Sequence, residues 1–175
     1  MTEATAIGDL LSAVALDPSI RPWRVSDGPA LLAAWSDPDV ARWNGVPPAP
    51  SIDAAERWLR GAARQTTESA SVDVVAVDAE DRVQGEVGLV LDRQRRIAEV
   101  GFWVGPDHRR SGVGSRLLDA AGRLIPALDI ERAFAITSAE NTAALALLEA
   151  NRWPEVATTT ADRRAFVAPS RPAQP

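Results

Sequence analysis

One stretch of this 175-residue sequence, from Ile97 to Leu124, constrains the fold more than any other. Ile97 to Val104 is an apolar run of strand length, and it stops at Gly105-Pro106 because proline cannot donate to a ladder. The next apolar residues, Val113, Leu117, Leu118, Ala121 and Leu124, recur at helical spacing. A short loop with Arg109, Arg110 and Gly112 joins the two, and Gly114 follows in the helix start. A helix N-terminus leaves backbone N–H groups unpaired and partly positive, and glycines there let a phosphate approach the chain. The plain alternative is that the glycines only permit a tight strand-to-helix turn. A Walker loop is excluded because no Gly-Lys-Ser/Thr follows, and the Rossmann pattern fails because Leu117 takes the third glycine's place.

The remaining elements fall around this stretch. Residues 1–18 read as an N-terminal arm, 19–168 as one domain, and 169–175 as a disordered tail. Ile20 to Val25 opens a strand, and Ser26 or Asp27 caps a helix carrying Leu31, Leu32 and Trp35. Asp37 to Pro50 holds four prolines and reads as an ordered loop. Ser51 caps a second helix, with Ile52, Ala55, Leu59 and Ala62 on one stripe. Val72 to Val77 and Val83 to Leu91 form strands joined near Asp78 to Arg82. Arg132 to Thr137 is a further strand, Thr142 to Ala150 the last helix, and Val156 to Thr160 with Arg164 to Val167 a terminal hairpin. The order is a mixed α/β arrangement, neither doubly wound nor a barrel.

Composition narrows the chemistry. With 46% hydrophobic and 25% charged residues the chain builds a core. A net charge of -5 disfavours nucleic acid, which needs clustered cations. There is no Cys, so disulfides and thiolate nucleophiles are out, and no metal site is expected. No run is long enough to span a bilayer and no charged leader region precedes the short apolar run Leu10 to Leu16, so a cytoplasmic protein without a membrane partner is expected.

Arg109-x-x-Gly112-x-Gly114, preceded by Val104 and Pro106, resembles the acetyl-coenzyme A signature of the GNAT N-acetyltransferases. The likeness runs from about Ile20 to Val167. Arg21-Pro22-Trp23-Arg24 with Asp27, Gly85-Glu86-Val87-Gly88 and Ala98-Glu99-Val100-Gly101-Phe102-Trp103 resemble its ribosomal-protein N-terminal acetyltransferase-like (RimJ/RimL-like) branch. The resemblance implies a central, mostly antiparallel sheet splayed at the cofactor site and flanked by about four helices. It implies acetyl-CoA as cofactor, its diphosphate held by Arg109, Arg110, Gly112, Val113, Gly114 and Ser115, its pantetheine arm paired with the backbone of Phe102 and Val104. Asn141, in Ser138-Ala139-Glu140-Asn141, would contact the pantetheine or act only as a helix cap. Three positions depart from the family: Ala144 where Ser is common, Arg152 where Gly is usual, and Leu148 where many relatives carry the Tyr that protonates the leaving thiolate. The chain has no Tyr.

The expected reaction is direct acetyl transfer to a primary amine: a protein N-terminus, an aminoglycoside or a small molecule. A CoA-binding regulatory module without turnover is the alternative, and relatives of this kind often form homodimers. Attack needs a neutral amine, so a base is required, and Glu99 and Glu86, each in an apolar strand, are the candidates. Burial near the splayed centre would raise either pKa toward a useful range, while strand alternation equally permits each to face solvent. His108 lies beside the phosphate loop and reads as a surface or phosphate contact. Trp35 and Trp43 border the acceptor site in similar proteins, and the face of Trp43 would attract a cation. Trp23, Trp58, Trp103 and Trp153 are read as core.

Overall fold

The computed structural model describes residues 14–61, 70–158 and 160–169. Residues 1–13 of the expected arm, 170–175 of the expected tail and Ala62 of the expected helical stripe lie outside these. The described chain forms β1 (Ile20–Pro22), α1 (Gly28–Ser36), α2 (Pro38–Trp43), α3 (Ile52–Leu59), β2 (Ala70–Val77), β3 (Val83–Asp92), β4 (Ile97–Val104), α4 (Val113–Ala127), β5 (Arg132–Ser138), α5 (Thr142–Ala150), β6 (Glu155–Val156) and β7 (Arg163–Val167). The strands make one sheet in the order β1-β2-β3-β4-β5-β7-β6. Every neighbouring pair is antiparallel except β4 and β5, which run parallel.

Strand alternation divides the sheet into two faces. One presents Val72, Val74, Val87, Leu89, Leu91, Ala98 and Val100 to α4, whose Val113, Leu117, Ala121 and Leu124 are buried against them. The other carries Glu86 and Trp103, and a second cluster of Leu31, Trp35 and Ala55 lies under α1 and α3. Trp23 bridges the two layers: its ring meets Trp58 edge-on at 6.3 Å and lies 6.3 Å from Trp103.

Three local expectations are corrected. β1 stops at Pro22 rather than Val25, and a 3-10 turn at Val25–Asp27 follows. Asp27 does not cap α1 with its side chain. Its carboxylate instead receives Arg21 at 2.8 Å and the Arg24 amide at 2.8 Å, fixing how the chain leaves β1. The Pro-rich loop contains α2, so the helices among the described residues number five rather than about four. Asp37 caps it by accepting from the Val40 amide at 2.9 Å, and Pro38 takes the first helical position, where a missing N–H costs nothing.

Candidate active site

The sheet opens where the glycine-containing loop after β4 begins. β4 and β5 are in register only at Ile97 with Arg132, Ala98 with Ala133 and Glu99 with Phe134. Beyond Glu99 the two strands part. The Gly105 amide bonds the Gln84 carbonyl at 2.9 Å, so Gly105 and, by alternation, Trp103 turn their backbone groups toward β3. Phe102 and Val104 therefore turn theirs toward β5, into the gap. An extended ligand arm could pair with these backbone groups, although the Val104 carbonyl also accepts from Arg109 Nε.

The loop that follows Val104 is built from unusual backbone. Arg110 has φ +63° and Gly112 φ +84°, and Gly112 is the N-cap of α4 without any side chain capping the helix. A Cβ on Gly112 would meet nothing within 4 Å, so the chain is open on that side of Gly112. These features fit a diphosphate: uncapped amides, a partial positive charge and an open side at Gly112. Val113 contributes only backbone here, because its side chain is buried in the core. Ser115 accepts from the Asn151 side chain at 3.1 Å, tying the loop to the end of α5. Gly114 has a further structural requirement, since a Cβ there would stand 2.7 Å from Leu147 Cδ2.

The arginines of the loop differ. Arg109 donates to the carboxylates of Asp39 at 2.8 Å and Asp37 at 2.9 Å, and its Nε to the Val104 carbonyl at 3.2 Å. Burial works against the Asp37 carboxylate, but the Val40 amide and Arg109 outweigh it and hold its pKa below the ordinary value. Arg110 is exposed and has no ion-pair partner among the described residues. His108 sits in a 3-10 turn with Nδ1 3.4 Å from the Gln84 amide nitrogen.

The two carboxylates proposed as bases occupy different surroundings. Glu99 is exposed and stands at the last paired rung before the strands diverge, on the face opposite α4. Glu86 is 9% exposed and accepts from the indole N–H of Trp23 at 3.0 Å and of Trp103 at 2.6 Å. Trp103 and Trp23 are thus more than packing, a role that sequence reasoning missed: their spacing of 80 residues leaves no local signal. Trp35, expected to border the acceptor site, is instead buried in the second core cluster with its ring edge-on to Trp58 at 6.4 Å. Trp43 ends α2, and Arg42 already lies over its ring, 4.3 Å from the centroid. Asn141 caps α5, accepting from the Ala144 amide at 3.1 Å. Leu148 is fully buried in the main core. Among the described residues no group of three or more metal-ligating side chains converges, and no helix is long and apolar enough to cross a membrane.

Comparison with known proteins shows the family to which a chain with this sheet and helix belongs. The family described as Acetyltransferase (GNAT) domain matches residues 19–153. The chain belongs to the GNAT acetyltransferase family. That family takes its acetyl group from acetyl-CoA, and its members are N-acetyltransferases. The chain is 26% identical over 136 residues to an uncharacterized N-acetyltransferase p20 of Bacillus licheniformis, covering 74% of this chain and 75% of that protein. Its fold resembles spermidine N-acetyltransferase from Vibrio cholerae in complex with CoA and spermine, with TM-score 0.70, 18% identity, and 85% and 91% of the two chains covered. It also resembles RimL, the ribosomal L7/L12 alpha-N-protein acetyltransferase, with TM-score 0.68, 15% identity, and 88% and 92% covered. GNAT proteins with different acceptors thus share this fold, and the fold alone does not select the branch.

Proposed function

We propose that this chain passes an acetyl group directly from acetyl-CoA to a primary amine, in the manner of the ribosomal-protein N-terminal acetyltransferase-like branch, on a protein N-terminus, an aminoglycoside or a small-molecule amine. The observation that carries the reading is the parting of β4 and β5 just beyond Glu99, beside the uncapped N-terminus of α4. Acetyl-CoA, when bound, supplies an acyl thioester open to attack by nitrogen. The amides from Arg110 to Ser115 bind the diphosphate, and the backbone of Phe102 and Val104 orients the arm in the gap.

Glu99 is exposed rather than turned from solvent, so position and not burial makes it the favoured base: it stands where the gap opens, on the face opposite α4. There it accepts the proton that the neutral amine nitrogen sheds as it adds to the thioester. Glu86 is held in place by two indoles, which suits a residue that shapes the acceptor face. No phenol exists in the chain to protonate the leaving thiolate. Orientation then supplies much of the rate, with effective molarities on the order of 10⁵ M.

The test is CoA release from acetyl-CoA against a panel of peptide N-termini, aminoglycosides and small amines. Turnover on at least one class is expected, and Glu99→Gln should lower kcat about 100-fold while CoA affinity holds. Tight CoA binding with no turnover on any amine would replace this reading with a CoA-binding regulatory module.

A further inference from the structure

The geometry points to Arg109 as a positioning residue that docks α2 across the mouth of the gap, so that its side chain serves the acceptor side rather than the diphosphate. This rests on the acetyl-transfer reading above. By motif Arg109 belongs to the phosphate loop, yet its guanidinium is engaged three ways: Nε on the Val104 carbonyl, the two terminal nitrogens on Asp39 and Asp37. A planar fork can join two carboxylates and a carbonyl at once, which a lysine ammonium on a flexible stem does poorly. Asp37 also caps α2, so Arg109 grips the very residue that starts that helix.

The other end of α2 is tied as well. Arg42 bonds Glu140 at 2.9 Å, in the turn that follows β5, and covers the ring of Trp43. Arg109 follows β4 and Glu140 follows β5, the two strands that diverge. A helix of six residues spans about 9 Å. Bound at one end to the loop after each strand, α2 therefore lies over the opening between them. Arg110, exposed, left-handed and without an ion-pair partner among the described residues, is the cation available to a diphosphate.

The experiment compares Arg109→Ala, Arg109→Lys, Arg110→Ala and the double variant Asp37→Asn/Asp39→Asn in the full chain. Asn still caps a helix, so the last variant removes charge and leaves the cap. Three quantities are read: amide exchange over Val40–Trp43, CoA affinity by calorimetry, and KM for the acceptor amine. For both Arg109 variants and the Asn pair, α2 exchange should speed about tenfold and amine KM rise several-fold, while CoA affinity stays within twofold. Adding the Asn pair to Arg109→Ala should change little more, since the same contact is already gone. Arg110→Ala should do the reverse, weakening CoA with α2 exchange unchanged. If Arg109→Ala weakens CoA about tenfold and α2 exchange does not move, Arg109 is a phosphate ligand and the inference is wrong. Should no amine be acetylated, the functional reading fails, while exchange and calorimetry still decide the role of Arg109.

Discussion

Arg152 stands where the family resemblance leads one to expect glycine, and its backbone shows why glycine is usual. Its φ is +59°. The Arg152 amide bonds the Glu149 carbonyl at 2.9 Å and the Trp153 amide the Leu148 carbonyl at 3.0 Å, a Schellman ending for α5 that drops Trp153 into the core. A residue with a Cβ costs about 1–2 kcal/mol in this conformation, offset by the roughly 0.5–1 kcal/mol that glycine's freedom costs on folding. Arg152→Gly should therefore stabilise the chain by up to about 1.5 kcal/mol, a rise of up to roughly 6 °C in Tm. A fall in Tm would show that the Arg152 side chain is worth more than the strain. Leu148 makes the converse point. It is fully buried, so a tyrosine placed there by substitution would have to displace core, and the missing phenol is not a simple omission.

At the level of elements, strong local patterns were legible. Ile97–Val104 and Thr142–Ala150 match the strand and helix read from the sequence, because Gly105-Pro106 and the Asn141 cap punctuate them. α2 was hidden by its prolines, although Asp37-Pro38 is itself a cap followed by a first-turn proline and could have revealed it. The clamp from Arg109 to Asp37 and the link from Trp23 to Glu86 join residues 72 and 63 positions apart, and no periodicity encodes such pairs. The candidate bases were chosen by residue type, whereas the burial that separates them, Glu86 covered and Glu99 exposed, depends on tertiary packing that no local pattern encodes. Glu86 ties the layer of α1 and α3, through Trp23, to β3 and β4. Glu86→Gln places an amide donor against one of two indole N–H donors, leaving a buried donor unmatched at a cost of about 1–3 kcal/mol. Its Tm should fall by roughly 2–10 °C, with tryptophan fluorescence shifting to the red as the rings lose their seat. An unchanged Tm would mean that the Trp23 and Trp103 contacts carry no stability.

The whole chain has an unusual titration. It contains no Lys, Cys or Tyr, so histidine is the one side-chain type it carries whose reference range falls between about pH 5 and 11, and it has a single copy. The resolved shifts lie outside that window. Arg21, Arg82 and Arg164 are pushed further up by their carboxylate partners. Asp81 is pulled down by the Arg21 guanidinium, Asp78 and Asp92 by the backbone amides of Arg82 and Arg95, and Glu155 by Arg164. A carboxylate with a depressed folded pKa stabilises the fold above its unfolded value near 4, and that contribution is lost as pH falls through the folded pKa. Tm should thus be flat from about pH 6 to 9 and decline below about pH 4. Against so level a background, a rise in kcat/KM across neutral to alkaline pH belongs to the acceptor, which must be neutral to attack. The midpoint of that rise should move with the pKa of the amine supplied, and His108→Gln should leave it in place. A limb fixed at one pH for every acceptor, and abolished in His108→Gln, would instead assign the proton transfer to the imidazole, 3.4 Å from Gln84 beside the phosphate loop.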